Sequence, residues 1–202
     1  MLVPGWVKGV PQQPYTALVW KIKIEKRIFM KKLSLLLLAV FMLQFSIVTA
    51  ASAKNSLLPG EKLEKGQMLV SNNGRFALVM QTDGNLVLYQ DGGHPIWDTN
   101  TDDVIHKYYD PYYRTWRNVK ADTLVMTSTL TLESSVGKGY GTPPFWHSDI
   151  PSWMRSYYPS NNMPPLVGAD SLWVQDDGNV VLYSTKTSRG TYPVWASNTG
   201  GR

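Results

Sequence analysis

Two nine-residue segments of the chain carry the same polar residues in the same order. Residues 81–89 read Gln-Thr-Asp-Gly-Asn-Leu-Val-Leu-Tyr, and residues 175–183 read Gln-Asp-Asp-Gly-Asn-Val-Val-Leu-Tyr. Gln, Asp, Asn, Val and Tyr recur at every second position in both, so an extended strand would present all five on one face. We call these sets stripe one, which is Gln81, Asp83, Asn85, Val87 and Tyr89, and stripe three, which is Gln175, Asp177, Asn179, Val181 and Tyr183.

Such a stripe has the chemistry to hold a sugar. Asp only accepts hydrogen bonds, whereas Gln, Asn and Tyr both donate and accept, and a sugar offers several hydroxyls around a partly apolar ring. An epimer that moves one hydroxyl leaves a polar group unpaired, which costs roughly 1–3 kcal/mol and gives specificity without a metal. The alternative is that each stripe is only the solvated face of a strand.

A second motif places the stripes in a frame of three repeats. The pattern Pro, apolar residue, Trp, any residue, Ser or Thr, Asn or Asp occurs three times, and its Trp residues are 49 positions apart twice over. These residues are Trp97, Trp146 and Trp195. Equal spacing predicts three units, repeats one, two and three, at about residues 58–100, 120–149 and 168–198. In repeat two, residues 127–133 keep a β pattern but lack the Gln, Asp, Asn and Tyr of the stripes.

The elements that must position these residues are short strands. Alternating runs separated by Gly, Pro, Asn and Asp indicate an all-β fold, and helical periodicity is absent after residue 54. Asp-Gly inside each stripe usually signals a hairpin turn, but the alternation beyond it predicts an extended chain. Three repeats with one Trp each predict three small sheets around a pseudo-three-fold axis, with the Trp rings near that axis. We assign these rings to the core rather than to sugar stacking.

Two stretches exceed what a minimal repeat needs. They are the inserts at residues 101–119 and 150–167, and both are rich in aromatic residues. Long loops in a compact domain tend to carry function. A sugar-stacking extension, a partner surface and a cover for a sheet face all fit the inserts equally well.

The first 53 residues have the features of an export signal. Residues 30–53 show a basic start at Lys31 and Lys32, a mostly apolar run, and a small-residue end, as secretory signals do. The apolar run is short for a transmembrane helix, which is the alternative. Residues 1–29 are expected to be an over-extended start or a leader outside the fold. We therefore expect residues 54–202 to form a secreted or cell-envelope domain.

Removal of this segment changes the charge balance. Seven of the 20 basic residues but one of the 15 acidic ones lie in residues 1–53, which leaves 13 and 14. The remaining domain is nearly neutral, so the sequence gives no case for nucleic acid. The chain has no Cys, which excludes disulfides, a Cys-ligated zinc and a Cys nucleophile.

Stripes and Trp motifs together resemble the bulb-type mannose-binding lectins, the snowdrop-like proteins of monocots and their bacterial relatives. The signature of that family is Gln-x-Asp-x-Asn-x-Val-x-Tyr, which residues 81–89 and 175–183 match at all five positions. The resemblance also covers residues 58–63 and 195–201, and it leaves the two inserts unmatched.

The resemblance implies a β-prism II fold with a mannose site on each intact stripe and none on repeat two. It assigns Asp83 and Asn85 to the axial 2-hydroxyl of mannose, Gln81 to the 3-hydroxyl, Tyr89 to the 4-hydroxyl and Val87 to the ring carbons. Stripe three would repeat these roles. No metal or cofactor is implied, and exchange of C-terminal strands between subunits would give a homodimer.

Three other functions remain open at this point. Bacterial relatives include toxins that recognise surface polysaccharide, so a lectin-like bacteriocin is one alternative. A glycosidase needs two carboxylates in one cleft, whereas Asp83 and Asp177 belong to separate repeats. His94, His106 and His147 show no ligand or catalytic spacing. The stripes could finally be relics on a purely structural domain.

Overall fold

The structure is a computed structural model that describes residues 54–136, 141–188 and 190–201. The expected leader at 1–29 and the signal at 30–53 lie outside the described residues. Within the described ranges, no helix is long and apolar enough to cross a membrane.

Three four-stranded antiparallel sheets make up the fold. Their strand orders are β3-β4-β5-β6, β2-β9-β10-β11 and β1-β12-β13-β14, and β7-β8 is a separate two-stranded sheet. The strands are β1 Ser56–Leu57, β2 Lys62–Glu64, β3 Met68–Val70, β4 Phe76–Met80, β5 Leu86–Gln90, β6 His94–Asp98, β7 His106–Asp110, β8 Thr115–Val119, β9 Thr123–Met126, β10 Leu130–Glu133, β11 Trp146–His147, β12 Ser171–Val174, β13 Val180–Ser184 and β14 Tyr192–Ala196. The predicted all-β class, a β-prism II with three four-stranded sheets, is confirmed.

Strands from the start of the domain complete the sheets of later repeats. β1 pairs with β12 of repeat three, and β2 pairs with β9 of repeat two. Each repeat therefore supplies three strands of its own sheet, and the segment before β4 supplies the fourth strand of all three. The C-terminal strand β14 pairs with β13 of the same chain.

A Leu-Leu-Trp row on the inner face of each sheet forms the core. In the first sheet Leu78 pairs with Leu88, which pairs with Trp97. The other two sheets repeat this row with Leu124, Leu132 and Trp146, and with Leu172, Leu182 and Trp195. All six Leu are fully buried.

The three Trp rings meet where the sheets converge. Their centroids lie 5.7–5.9 Å apart, and the planes cross at 70–74°. This edge-to-face geometry contributes about 0.5–1.5 kcal/mol per pair beyond the burial of apolar area. The symmetric cluster ties the three sheets into one core.

The stripes are not continuous strands, which corrects the sequence-based expectation. β4 ends at Met80 and β5 begins at Leu86, so the first half of stripe one is a hairpin turn. Asp83 Oδ1 accepts a hydrogen bond from the backbone N–H of Asn85 at 2.9 Å, and Gly84 has φ +101°. An Asx turn followed by a residue that tolerates positive φ reverses the chain at Asp-Gly, as that dipeptide usually does.

The two inserts fold differently from each other. Insert 101–119 contains the antiparallel hairpin β7–β8. Insert 150–167 begins with the helix α1, Ile150–Tyr157, which corrects the prediction that no helix follows residue 54. Asp149 caps α1 by accepting a hydrogen bond from the Ser152 N–H, while Ile150 and Met154 are buried. A helix of only eight residues, with Pro151 in its first turn, is too short to show periodicity.

Candidate functional site

Stripe one combines a turn with the strand that follows it. Gln81, which directly follows β4, donates from Nε2 to the Tyr89 hydroxyl on β5 at 2.5 Å. Val87 lies two residues before Tyr89 on the same face of β5. The hairpin therefore brings Gln and Tyr, eight positions apart in sequence, into direct contact, which a single extended strand could not do.

Asn85 is held in place by residues that follow the Trp strand. Its Oδ1 accepts hydrogen bonds from Thr99 Oγ1 at 2.9 Å and from the Thr101 N–H at 3.2 Å. Thr101 Oγ1 in turn donates to the Gly84 carbonyl at 2.7 Å. All these groups are buried, so the turn is locked to the strand β6 of the same sheet.

Stripe three repeats this geometry. Gln175 Nε2 donates to the Tyr183 hydroxyl at 2.8 Å, and Asp177 Oδ1 accepts from the Asn179 N–H at 2.9 Å. Asn179 Oδ1 accepts from Ser197 Oγ at 3.1 Å and from the Thr199 N–H at 3.2 Å, and Thr199 Oγ1 donates to Gly178 at 2.6 Å. The Trp motifs of repeats one and three thus have a second role, because the Ser or Thr of the motif and the Thr two positions later hold the Asn of the stripe.

The phenol of stripe one is protonated at neutral pH. Burial raises the pKa of Tyr89, the nearby carboxylates of Asp83 and Asp98 raise it further, and the Gln81 hydrogen bond opposes this rise. Since the Tyr89 oxygen accepts a hydrogen bond from Gln81, its own hydroxyl proton is directed elsewhere.

The stripes differ at the position after the Trp. In repeat one this residue is Asp98, whose Oδ2 accepts a hydrogen bond from Asn85 Nδ2 at 3.2 Å. In repeat three it is Ala196, and Asn179 Nδ2 has no hydrogen-bond partner among the described residues. The amide donor is therefore already engaged in stripe one and unengaged in stripe three, a difference that sequence reasoning missed.

Repeat two lacks the polar groups of the stripes and keeps only a contact between the Ser of its Trp motif and the strand backbone. Only residues 127–129 join β9 to β10, two fewer than in the other hairpins. Ser148 Oγ accepts from the Leu130 N–H at 3.1 Å and lies 2.9 Å from Thr129 Oγ1. The backbone of Ala169 donates to the Ser128 carbonyl at 2.7 Å, so the following segment packs against this short turn.

Helix α1 places two aromatic rings beside stripe three. Trp153 and Tyr157 stack with centroids 4.5 Å apart, and Trp153 Nε1 donates to Asn198 Oδ1 at 3.2 Å. Both rings, with Gln175, Asn179, Val181 and Tyr183, line a cavity of about 130 Å³. Sequence reasoning noted an aromatic insert here but did not link it to the stripe; the i, i+4 spacing of Trp153 and Tyr157 was the available signal.

The rings of insert 101–119 contact mainly one another. Tyr109 and Trp116 lie edge to face at 5.7 Å, and Arg117 sits 4.3 Å above the Tyr113 ring. Tyr112, Tyr113 and Trp116 are well exposed.

The histidines lie on separate strands. His94 is on β6, His106 on β7 and His147 on β11. His106 stacks on Phe145 at 4.2 Å. No cluster of three or more potential metal ligands occurs in the described ranges.

Sequence comparison shows which proteins parts of this chain resemble. The mannose-specific lectin of Galanthus nivalis is 47% identical over 72 residues, which is 36% of this chain and 43% of the lectin. That of Narcissus pseudonarcissus is 55% identical over 47 residues, 23% of this chain and 40% of its own length. The chain is homologous to bulb-type mannose-specific lectins over these segments, which span less than half of either relative. No family model matches the chain.

Solved structures of similar proteins include two monocot lectins. Snowdrop agglutinin complexed with methyl-α-D-mannoside aligns at TM-score 0.44 and 27% identity, over 72% of this chain and 97% of its own. A monomeric mannose-binding lectin from Gastrodia elata aligns at TM-score 0.46 and 25% identity, over 73% and 99%.

Proposed function

We propose that the chain is a non-catalytic lectin that binds mannose-containing glycans at stripes one and three. Two homologous proteins are named mannose-specific lectins, and one similar structure is a methyl-mannoside complex. Repeat two has no site in this proposal, because Glu133 stands where the stripes have Tyr and its hairpin turn is two residues shorter.

One observation carries the proposal. The Gln–Tyr pair, the Asx turn and the Asn lock occur twice with hydrogen-bond lengths that agree within about 0.3 Å. The donors and acceptors are therefore fixed before any ligand arrives, so binding a sugar does not require ordering them. If the stripes were only solvated surface, nothing would require both to have the same arrangement of hydrogen bonds.

Isothermal titration with methyl α-mannoside and a branched oligomannoside tests the proposal. The unaltered protein should bind two monosaccharides per chain, whereas a double Asp83→Ala, Asp177→Ala variant should bind none while its circular dichroism stays unchanged. An Asp103→Ala variant, which alters an exposed Asp outside both stripes, serves as the matched control. The absence of heat from the unaltered protein, even with the oligomannoside, would reject sugar binding.

Two weak sites on one rigid core favour clustered glycans. Binding at the second site becomes intramolecular once the first is occupied, so avidity exceeds either affinity when the glycan spans both. A homodimer formed by exchange of β14 would add further sites, and size-exclusion chromatography with light scattering tests it. Export, with a mature start near Lys54, is part of the proposal and is tested by N-terminal sequencing of secreted protein.

A lectin-like bacteriocin from a bacterial source is the second candidate. The unequal repeats favour it, since a toxin directed at one polysaccharide needs only some of its sites. Growth inhibition of related strains, lost in the Asp83→Ala, Asp177→Ala variant, would support this role. Glycan binding without growth inhibition would reject the bacteriocin role and support only the lectin function.

A further inference from the structure

The outer face of the third sheet carries two residues that the first sheet replaces with smaller ones. Ser171 and Trp173 on β12 pair with Tyr183 and Val181 of stripe three. The register of the first sheet puts Ala77 opposite Tyr89 and Val79 opposite Val87. Ser171 and Trp173 therefore lie directly beside stripe three, where repeat one offers only Ala and Val.

A second, larger cavity lies over these residues. It is open to solvent, has a volume of about 440 Å³ and is lined by Ser171, Trp173, Gln175 and Tyr183 among others. Gln175 and Tyr183 also line the 130 Å³ cavity of stripe three. The hydrogen-bonded Gln175–Tyr183 pair thus forms a wall between the two cavities. An oligosaccharide with one sugar in the small cavity would place its next sugar beside the larger cavity.

One residue that lines the larger cavity, Ser171, carries a buried hydroxyl without a hydrogen-bond partner among the described residues. Ser171 is 5% exposed, and its Oγ is the one buried side-chain N or O atom of the described residues that has no hydrogen-bond partner. A buried hydroxyl without a partner is destabilising, and native structures rarely keep one without a reason. A ligand hydroxyl that reaches Ser171 would remove this penalty.

Trp173 gives the same cavity an apolar surface. It is 39% exposed, whereas Val79, at the matching position of the first sheet, is 2% exposed. A partly exposed indole on a rigid strand offers a flat face to the C–H side of a pyranose ring and loses little conformational entropy on binding. Ser171 and Trp173 together supply the polar and apolar contacts that a sugar ring requires.

We propose that repeat three binds an oligosaccharide of two or more units, with mannose on stripe three and the adjoining sugar over Trp173 and within reach of Ser171. This inference rests on the proposed lectin function. Repeat one, with Ala77 and Val79, binds the terminal sugar alone. The two sites of the chain therefore differ in ligand length as well as in position.

The test replaces Ser171 and Trp173 of the third sheet with the residues found at the matching positions of the first sheet. A Ser171→Ala, Trp173→Val variant is made in an Asp83→Ala background, so that titration reports repeat three only. In the background protein, mannobiose or mannotriose should bind about tenfold more tightly than methyl α-mannoside, and the double substitution should reduce this ratio to near one. Val and Ala occupy these positions in the first sheet, so both are compatible with a strand.

Controls separate this inference from the function on which it rests. Trp116→Val removes an exposed Trp from strand β8 and should leave the ratio unchanged. The single Ser171→Ala variant is conservative, so it keeps the test decisive if loss of Trp173 prevents folding, and it should lower the ratio about threefold. A ratio near one in the background protein, with clear binding of both ligands, overturns the inference and leaves the lectin function intact. No binding of either ligand by the unaltered protein overturns both.

Discussion

Repeats one and three have nearly the same core and the same stripe residues, but they differ in the residues that surround the stripe on the outer face of the sheet. Each has the same Leu-Leu-Trp row on its inner face, and in each the Asn of the stripe accepts the same hydrogen bonds at the turn. On the outer face, repeat one has Ala77, Val79 and Asp98 where repeat three has Ser171, Trp173 and Ala196. Helix α1 adds two further rings to the repeat-three side.

This difference separates the requirements of the fold from those of the ligand. The Leu-Leu-Trp core must be equal in every repeat, because the three sheets share one central cluster. The outer face has no such constraint, so it can diverge without loss of stability. Substitutions on the inside should therefore have equal effects in both repeats, and those on the outside unequal effects.

The largest effects should follow from truncation of the central Trp residues. Trp97→Ala and Trp195→Ala should each lower the free energy of unfolding by about 3–5 kcal/mol, since each removes one corner of the same edge-to-face cluster. Urea denaturation followed by circular dichroism measures both. Trp116→Ala, on the exposed hairpin, should change stability by less than about 0.5 kcal/mol. A Trp97→Ala loss far below that of Trp195→Ala would show that the repeats are not equivalent inside.

Most of the fold could be predicted from the sequence because its repeats are spaced regularly. The interval between Trp97, Trp146 and Trp195 gave the number of sheets. Alternation indicated that each repeat is built from short strands, but not how those strands pair. The contribution of β1 and β2 to the sheets of repeats three and two could not be predicted, since strands of two or three residues carry no pattern of their own.

The sequence showed which residues make up the stripes, but it did not show the geometry of the turn that carries them. The alternating pattern predicted that Asp83 lies on a strand. The same spacing of polar residues also occurs across a turn followed by a strand, and in the structure the positive φ of Gly84 marks the turn. The exposure of Trp173 could not be predicted, because it depends on how β12 pairs with β13. The hydroxyl assignments for stripes one and three stay predictions.

Intermediate effects should follow from removal of the Thr that locks each turn. Thr101→Val and Thr199→Val leave the Gly84 or Gly178 carbonyl without its hydrogen bond in a buried site. Each should cost about 1–3 kcal/mol in unfolding free energy, equally in both repeats. Thermal and urea denaturation measure the loss, and Thr82→Val, at an exposed position of the repeat-one turn, is the matched control. Unequal losses would mean that the lock supports one turn only.

The smallest effect should appear on the outer face and in repeat three alone. Tyr157 stacks on Trp153, lines the stripe-three cavity and is 57% exposed, so its removal alters the cavity wall without opening the core. Under the proposed function, Tyr157→Ala in the Asp83→Ala background should weaken methyl α-mannoside binding about 2- to 10-fold, the equivalent of one aromatic contact. The same substitution in an Asp177→Ala background, which reports repeat one, should have no effect.

Tyr112→Ala provides the control for this last substitution, because Tyr112 is an exposed Tyr that packs on a neighbouring ring at the tip of the other insert. It should leave both affinities unchanged. Tighter binding after Tyr157→Ala would reverse the assignment, since it would mean that the rings of α1 obstruct stripe three rather than support a bound sugar. That result would still agree with a common core and different outer faces, because the effect would be confined to repeat three.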